Sequence, residues 1–364
     1  MKKKNIRFLI WGIACLSLSA IFFFAAAFVT RNLKNHTPFA VELYGAQGLG
    51  VPVGKTANFT EWGSFAAAGM GEYVQAADLA ETKSIPAYYQ MTTPNYGEYA
   101  NLHFNEGKYF PEDAAGNLAV IPESLSHELF EGEDGKKMLR INGKKFTVCG
   151  VYGEGGILTR LGSASIPVIY GNTSRDPDIL AEQLLIGADA GKTALQQQQE
   201  TAALMQIPLE GEINDLGRLH QLGDSILLLG FFFAGLWFVL HLCIFSYRKL
   251  MSAYQCRGQA AEKILPAILG TGAFLLAAVG FASLLQLVRI PAIYLPEDNI
   301  FDISYYGQQI LNGIQQINTV SRIRDFSRIC AVYLCAEAGC TIAAVPLFWA
   351  GCHGLRHWFL DKQL

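Results

Sequence analysis

The sequence predicts an α+β membrane protein with four transmembrane helices and a large mixed α/β domain between the first helix and the second. Composition supports this class, because 51% of the 364 residues are hydrophobic and 16% are charged. That balance is too apolar for an ordinary soluble protein and too charged for a chain that lies in a membrane throughout. The apolar residues are concentrated in four segments, and a long polar stretch with strand patterns separates the first two.

Each apolar segment is long enough to span a bilayer, since about 20 residues at 1.5 Å each cross a hydrocarbon core of about 30 Å. The segments are residues 8–29, 226–245, 264–288 and 329–352. The first also begins with basic residues, as a signal peptide does. Its length, and the lack of a small-residue cleavage pattern before residue 30, favour a retained anchor.

Basic residues near the segment ends predict that both termini are cytoplasmic. Three groups fall on one side of the membrane if every segment crosses it: Lys2, Lys3, Lys4 and Arg7; Arg248, Lys249, Arg257 and Lys263; Arg356 and Lys362. Arg322, Arg324 and Arg328 would lie outside and oppose this orientation, but they are fewer. We therefore expect a multi-pass protein of the cell (cytoplasmic) membrane, with its large domain on the extracytoplasmic side.

The clearest signal in that domain is a β-hairpin over residues 138–148. Two runs of alternating apolar and polar residues flank Asn142 and Gly143, and a type I′ turn needs positive φ at both central residues. Other patterns predict strands at residues 39–44, 87–91, 100–104, 117–121, 165–170 and 183–187, an extended piece at 207–209, and helices at 123–130 and 192–205. Residues 63–71 are interpreted as a loop or short helix of small residues.

Two apolar stripes precede membrane segments. Ile213, Leu216, Leu219 and Leu222 recur every three residues before the second segment, and this spacing predicts a helix that continues outward as a stalk. A similar stripe over residues 303–323 predicts an amphipathic helix before the fourth segment.

The order of motifs over residues 107–151 resembles a known family. It includes Gly107-Lys108-Tyr109-Phe110, Leu118-Ala119-Val120-Ile121, Arg140-Ile141-Asn142-Gly143 and Phe146-Thr147-Val148. This succession resembles the periplasmic core domain of MacB/FtsX-type ABC transporter permeases. The resemblance implies a permease subunit that couples ATP hydrolysis by a separate ATPase subunit to movement of the extracytoplasmic domain, for export or mechanotransmission. It also implies a second permease subunit, in a homodimer or heterodimer.

In this family the loop after the second helix carries a coupling helix that meets the ATPase. The resemblance therefore implies coupling residues Arg248, Lys249, Arg257, Gly258 and Lys263. A basic loop that only sets topology is the alternative for the same residues.

The resulting division of the chain has seven parts. They are 1–30, cytoplasmic N terminus and first transmembrane helix; 31–224, extracytoplasmic core domain with stalk; 225–247, second helix; 248–263, cytoplasmic coupling segment; 264–288, third helix; 289–328, extracytoplasmic loop and amphipathic helix; 329–364, fourth helix and cytoplasmic tail.

Catalytic motifs are incomplete. Gly54-Lys55-Thr56 and Gly191-Lys192-Thr193 end like a Walker A motif, but Leu49 and Ile186 stand where its first glycine belongs. We predict no enzyme activity in this chain, no catalytic site, no cofactor, no metal site and no nucleic-acid partner. The alternative function is a membrane-anchored extracytoplasmic receptor or assembly factor without ATP coupling.

Glu337 lies inside the fourth apolar segment. An acidic residue at that depth costs roughly 2.5 to 3.5 kcal/mol on insertion scales, so it should face protein or be protonated. A structural role, with a hydrogen bond from Thr271, Ser283 or Gln286 of the third segment, is weighed against a functional one.

Overall fold

The computed structural model describes residues 2–361 except 58–64, 112–115, 131–135, 173–177, 190, 256–259, 292–293, 296–298, 300–301, 319–322 and 324. The chain divides into two compact units. Met1–Arg31, Gln221–Ile300 and Leu334–Leu364 form the membrane unit, and Asn32–His220 with Phe301–Tyr333 form the outer unit.

The helices, in chain order, are α1 Lys2–His36, α2 Val53–Ala57, α3 Tyr96–Tyr99, α4 Glu123–Phe130, α5 Ile157–Gly162, α6 Ala194–Met205, α7 Leu216–Gln255, α8 Ala260–Leu285, α9 Ile303–Asn318 and α10 Phe326–Asp361. The strands are β1 Ala40–Tyr44, β2 Phe65–Gly69, β3 Glu72–Asp78, β4 Ser84–Thr92, β5 Phe104–Gly107, β6 Leu118–Pro122, β7 Met138–Ile141, β8 Lys144–Tyr152, β9 Val168–Asn172, β10 Ala181–Gly187 and β11 Glu212–Asp215.

Among the residues that the structure describes, four helices are long and apolar enough to cross a membrane, which confirms the predicted class. Their candidate spans are Ile6–His36, Leu216–Gln255, Lys263–Leu285 and Phe326–Trp358. Several of these helices extend beyond the apolar segments predicted from the sequence. Polar residues continue the helix at those ends, because adding a residue to an existing helix is much easier than starting one. Residues 248–255 are one example: they belong to α7 and not to a separate loop.

Within the membrane unit, α1 and α10 approach each other closely. The Ser19 hydroxyl donates to the carbonyl oxygen of Ala344 at 2.8 Å. A Cβ atom on Gly12 would lie 3.0 Å from the carbonyl oxygen of Gly351, and one on Gly351 would lie 2.9 Å from the backbone nitrogen of Leu16. Small residues allow this contact between backbones, as is common between membrane helices.

The strands of the outer unit form one continuous sheet with two parts. β4, β3, β7, β8, β6 and β9 pair in that order, and β9 pairs back with β4 in parallel, so the six strands form a closed ring. β11, β1, β10 and β2 extend from the ring as an open sheet, which joins it where Ala68 pairs with Thr92. β5 adds to the ring at β8.

Each part has its own apolar core. The first contains residues of the ring strands and of α4, including Tyr89, Ile121, Leu125 and Ile169. The second contains residues of β1, β2 and β10 together with Met205 of α6.

Several sequence predictions are confirmed by these elements. β7 and β8 form the predicted hairpin, and Asn142 and Gly143 have φ values of 48° and 74°. α4 and α6 lie where helices were predicted, and Thr193 caps α6 with a capping box that includes Gln196. The predicted amphipathic helix corresponds to α9 as far as Asn318.

Four predictions are wrong, each for a local physical reason. Residues 63–71 include strand β2, whose alanines are fully buried and so show no alternation of polar and apolar residues. Residues 100–104 are mostly not a strand, because Asn101 takes a left-handed conformation after α3. The last strand of the open sheet is not at residues 207–209 but at β11, and it contains Ile213, so the predicted stalk helix begins only at Leu216.

Candidate functional site

The outer ends of three candidate membrane helices lie together in the outer unit. We call this region the junction: the end of α1, the beginnings of α7 and α10, and the capping side chains Thr37, Asn101, Asp215, His220 and Asp325. All of these residues belong to the outer unit. Helix ends leave backbone groups without intrahelical partners, and the junction supplies those partners.

The end of α1 is capped by side chains from two places in the domain. The Thr37 hydroxyl donates to the carbonyl oxygen of Leu33 at 2.6 Å. The Asn101 amide donates to the carbonyl oxygens of Lys34 and Asn35 at 2.9 and 2.8 Å. His103 Nε2 lies 2.7 Å from the same oxygen of Asn35. The last carbonyls of α1 are therefore bound by the loop between α3 and β5.

The beginning of α7 is attached directly to the sheet. Asp215 is the last residue of β11 and pairs with Val41 of β1. Its Oδ1 accepts a hydrogen bond from the backbone N–H of Arg218 at 2.9 Å, and its Oδ2 lies 3.0 Å from the Arg218 Nε. One residue thus ends a strand and caps the helix that follows it.

A buried contact joins α7 to the residue that follows α1. His220 Nε2 lies 2.7 Å from the hydroxyl oxygen of Thr37. Both side chains are buried, and burying polar groups without hydrogen bonds is costly. The hydrogen bond therefore satisfies both buried groups and joins the end of α1 to the beginning of α7.

The beginning of α10 has a similar cap. Oδ1 of Asp325 accepts from the backbone N–H of Arg328 at 3.0 Å and from the Ser327 hydroxyl at 2.7 Å. In the next turns, the Tyr333 hydroxyl lies 2.9 Å from the hydroxyl of Thr159 in α5. α10 is therefore bound to the domain through its cap and through α5.

Beside the junction, a buried carboxyl joins three strands. Glu42 of β1 has no exposed surface. It accepts hydrogen bonds from the side-chain amides of Gln183 in β10 and of Asn214 in β11, the latter at 3.3 Å. Gln183 in turn accepts from the Tyr96 hydroxyl at 2.6 Å. The network links β1, β10 and β11, and β11 leads directly into α7.

The outer unit also contains an open groove of about 530 Å³. It runs along α5, the loop after β8 and the residues before β9. Its polar lining consists of His36, Asn101, His103, Ser124, Glu128, Glu154, Thr159, Arg160, Ser163 and Ser165. The groove therefore presents both signs of charge beside the residues that cap α1.

The sequence-predicted coupling residues are only partly described by the structure. Arg248 and Lys249 lie in α7, and Arg248 is exposed while the Lys249 ammonium lies 5.6 Å from the centre of the Phe245 ring. Lys263 is exposed in α8. Arg257 and Gly258 lie outside the described residues. Contact between these five residues and an ATPase stays a prediction.

Glu337 is fully buried in α10 within the membrane unit. Of the three side chains considered as its hydrogen-bond donors, Ser283 donates instead to the carbonyl oxygen of Val279 in its own helix, at 3.0 Å, and is exposed.

Sequence reasoning missed the junction. The signal was present at two positions, because Asp215 and Asp325 each stand just before a long apolar helix, where an aspartate is a typical N-cap. The Asn101 cap and the contact between Thr37 and His220 gave no local signal, since these residues are distant in sequence from their partners.

The Cys149 thiol lies in strand β8 of the outer unit. Burial raises the pKa of the Cys149 thiol to about 11, so the thiol is neutral at physiological pH and is a poor nucleophile. Its Sγ donates to the carbonyl oxygen of Ala119 at 3.4 Å. Among the described residues, no group of three or more His, Cys, Asp or Glu side chains is placed to hold a metal ion.

Comparison with solved structures gives three similar chains. The crystal structure of the periplasmic region of MacB from Actinobacillus actinomycetemcomitans is 14% identical, with a TM-score of 0.40, and the match covers 53% of this chain and 96% of that one. The extracellular domain of the noncanonic ABC-type transporter YknZ from Gram-positive bacteria is 12% identical, with a TM-score of 0.34 and coverages of 46% and 91%. A domain of a putative permease protein from Porphyromonas gingivalis is 13% identical, with a TM-score of 0.35 and coverages of 47% and 84%.

No curated protein matches this chain. The family of the MacB-like periplasmic core domain matches residues 9–202, which is more than half of the 364 residues. This match includes most of the first candidate span, the hairpin and most of the outer unit, and it confirms the resemblance found in residues 107–151. The chain therefore belongs to the MacB-like periplasmic core domain family.

Proposed function

We propose that this chain is the membrane subunit of an ABC transporter in the cell membrane, and that it couples ATP hydrolysis by a separate ATPase chain to movement of its outer unit. Membership of the MacB-like family supports the permease role, as do the four candidate spans. Neither Gly-Lys-Thr sequence has the first glycine of a Walker A motif. ATP hydrolysis therefore belongs to another chain.

The junction is the observation that carries the proposal. Three of the four candidate spans, α1, α7 and α10, have outer ends capped by residues of the outer unit at 2.6 to 3.0 Å. A change in the tilt of one of these helices would have to move the sheet that holds its end, or break these hydrogen bonds. Because α7 has 40 residues, or about 60 Å at 1.5 Å per residue, it is about twice as long as the hydrocarbon core is thick.

In this proposal residues 31–224 are extracytoplasmic and residues 248–263 face the ATPase. Arg248, Lys249, Arg257, Gly258 and Lys263 form the coupling surface, and the exposed side chains of Arg248 and Lys263 suit an acidic partner surface. Four spans are few for a transport unit, so a second permease subunit, identical or different, completes the assembly.

The test is copurification from detergent-solubilised membranes through a tag on this chain. We expect an ATP-binding cassette protein to be recovered with the wild type. Arg248→Glu combined with Lys249→Glu should lower its recovery severalfold. Lys144→Glu combined with Lys145→Glu is the matched control, because these adjacent lysines are exposed on the hairpin of the outer unit.

Equal recovery with the two double variants would place the ATPase contact elsewhere in the chain. If the wild-type protein is well expressed and no ATPase is recovered, the chain is instead a membrane-anchored receptor or assembly factor.

A further inference from the structure

α5 is a short helix that carries exposed apolar side chains next to a candidate membrane span. Ile157 and Leu161 are 79% and 59% exposed. They are four residues apart, so they lie on one face of the helix. Such a pair is unfavourable in water, because burial of each side chain would contribute about 1.5 to 3 kcal/mol of free energy.

The opposite face of α5 packs against the first turns of α10. A Cβ atom on Gly162 would lie only 2.7 Å from the Cα of Ile329, so the two backbones are in direct contact. Thr159 contacts Tyr333 through their hydroxyls, and the backbone N–H of Ala164 donates to the carbonyl oxygen of Ile323 at 3.1 Å. These contacts all lie within the outer unit.

The contacts place α5 alongside the first turns of α10. Ile329 begins the fourth apolar segment, and Tyr333 lies about 6 Å further along at 1.5 Å per residue. α5 is therefore level with the first 6 Å or so of the fourth apolar segment, which belongs to a helix long and apolar enough to cross a membrane. Interfacial helices bury their apolar face about 5 to 10 Å into the boundary between headgroups and acyl chains.

Charge on α5 also fits this environment. Arg160 is exposed, and at 100° per residue it lies between the apolar face and the remaining surface of the helix. A long basic side chain near an apolar face can reach the phosphate groups of lipids while its stem stays in the apolar layer.

We propose that α5 is a membrane-surface anchor of the outer unit: Ile157 and Leu161 enter the outer leaflet beside α10, and Arg160 meets the lipid phosphates. The anchor adds a contact between the outer unit and the bilayer that is separate from the spans. It sits at the edge of the groove, whose lining includes Thr159 and Arg160.

The test uses the full-length protein, with its native cysteines replaced, in vesicles of phosphatidylethanolamine and phosphatidylglycerol. A nitroxide is attached at Leu161→Cys or Ile157→Cys, and its collision rates are measured with oxygen, which concentrates in lipid, and with a water-soluble nickel complex. Leu204→Cys is the control, because Leu204 is a leucine of similar exposure, 49%, in the last turn of α6.

We expect the ratio of oxygen to nickel collisions at residues 157 and 161 to exceed that at residue 204 severalfold. A ratio equal to the control would show that α5 faces water. Low collision rates with both reagents would show that protein, such as a second copy of the chain, covers α5. Either result would overturn the proposal.

Discussion

Glu337 is an acidic residue that the membrane unit buries completely. Burial of an ionised carboxyl is costly unless its charge is compensated, so the neutral form is favoured or the surrounding helices supply polar partners. We expect a structural role, in which a neutral residue of the same shape can replace Glu337.

We therefore expect Glu337→Gln to be made and assembled at normal levels, with unchanged ATP-dependent function and a small shift in Tm. Glu337→Ala is the comparison, since it removes volume and should lower stability by about 2 kcal/mol or more through the cavity it leaves. Thermal unfolding in detergent and transport activity are the measurements. If Glu337→Gln assembles normally but loses activity, the carboxyl has a functional role.

At the scale of single elements, α7 depends on its first turn. Asp215 caps the helix and at the same time belongs to β11. Removing an aspartate N-cap costs typically about 1 kcal/mol, whereas asparagine caps about as well.

We expect Asp215→Ala to increase amide hydrogen exchange in the first turns of α7, while Asp215→Asn changes it little. Hydrogen exchange of peptides that contain residues 216–222 is the measurement. Because asparagine keeps the cap and loses the charge that meets Arg218, equal exchange in the two variants would assign the effect to the ion pair and not to the cap.

Local patterns predicted the elements that depend on local physics. The Asn142-Gly143 turn and the helix at α4 follow from turn chemistry and composition, and the spans follow from length and hydropathy. β2 was missed because a strand of buried alanines looks like a loop of small residues. Ile213 was assigned to a helix because it stands three residues before Leu216, as the next leucines of the stripe do. It belongs instead to β11, the short edge strand that precedes α7.

The candidate site was harder to predict than the fold. The caps Asp215 and Asp325 have a recognisable sequence position. The contact between Thr37 and His220 joins residues that are far apart in sequence, and only tertiary packing brings them together.

At the scale of the whole molecule, orientation in the membrane decides what the outer unit can meet. Asn142 lies at an exposed hairpin turn in the outer unit, and Tyr254 is 84% exposed near the other end of α7. With both termini inside, the two positions should lie on opposite sides of the membrane.

A membrane-impermeant maleimide should thus label Asn142→Cys in intact cells or spheroplasts, on a cysteine-free background. Tyr254→Cys should be labelled only after the cytoplasmic membrane is permeabilised. The reverse pattern would invert the topology and would move the outer unit to the cytoplasm.

We propose that the nucleotide state of a partner ATPase reaches the outer unit through the junction. Hydrogen exchange of the copurified complex, without nucleotide and after trapping with ATP and vanadate, tests this most directly. We expect exchange to change both in residues 248–255, at the inner end of α7, and in residues 32–44 and 212–220, in and beside the junction. A change confined to residues 248–255, with identical exchange in the junction, would contradict it.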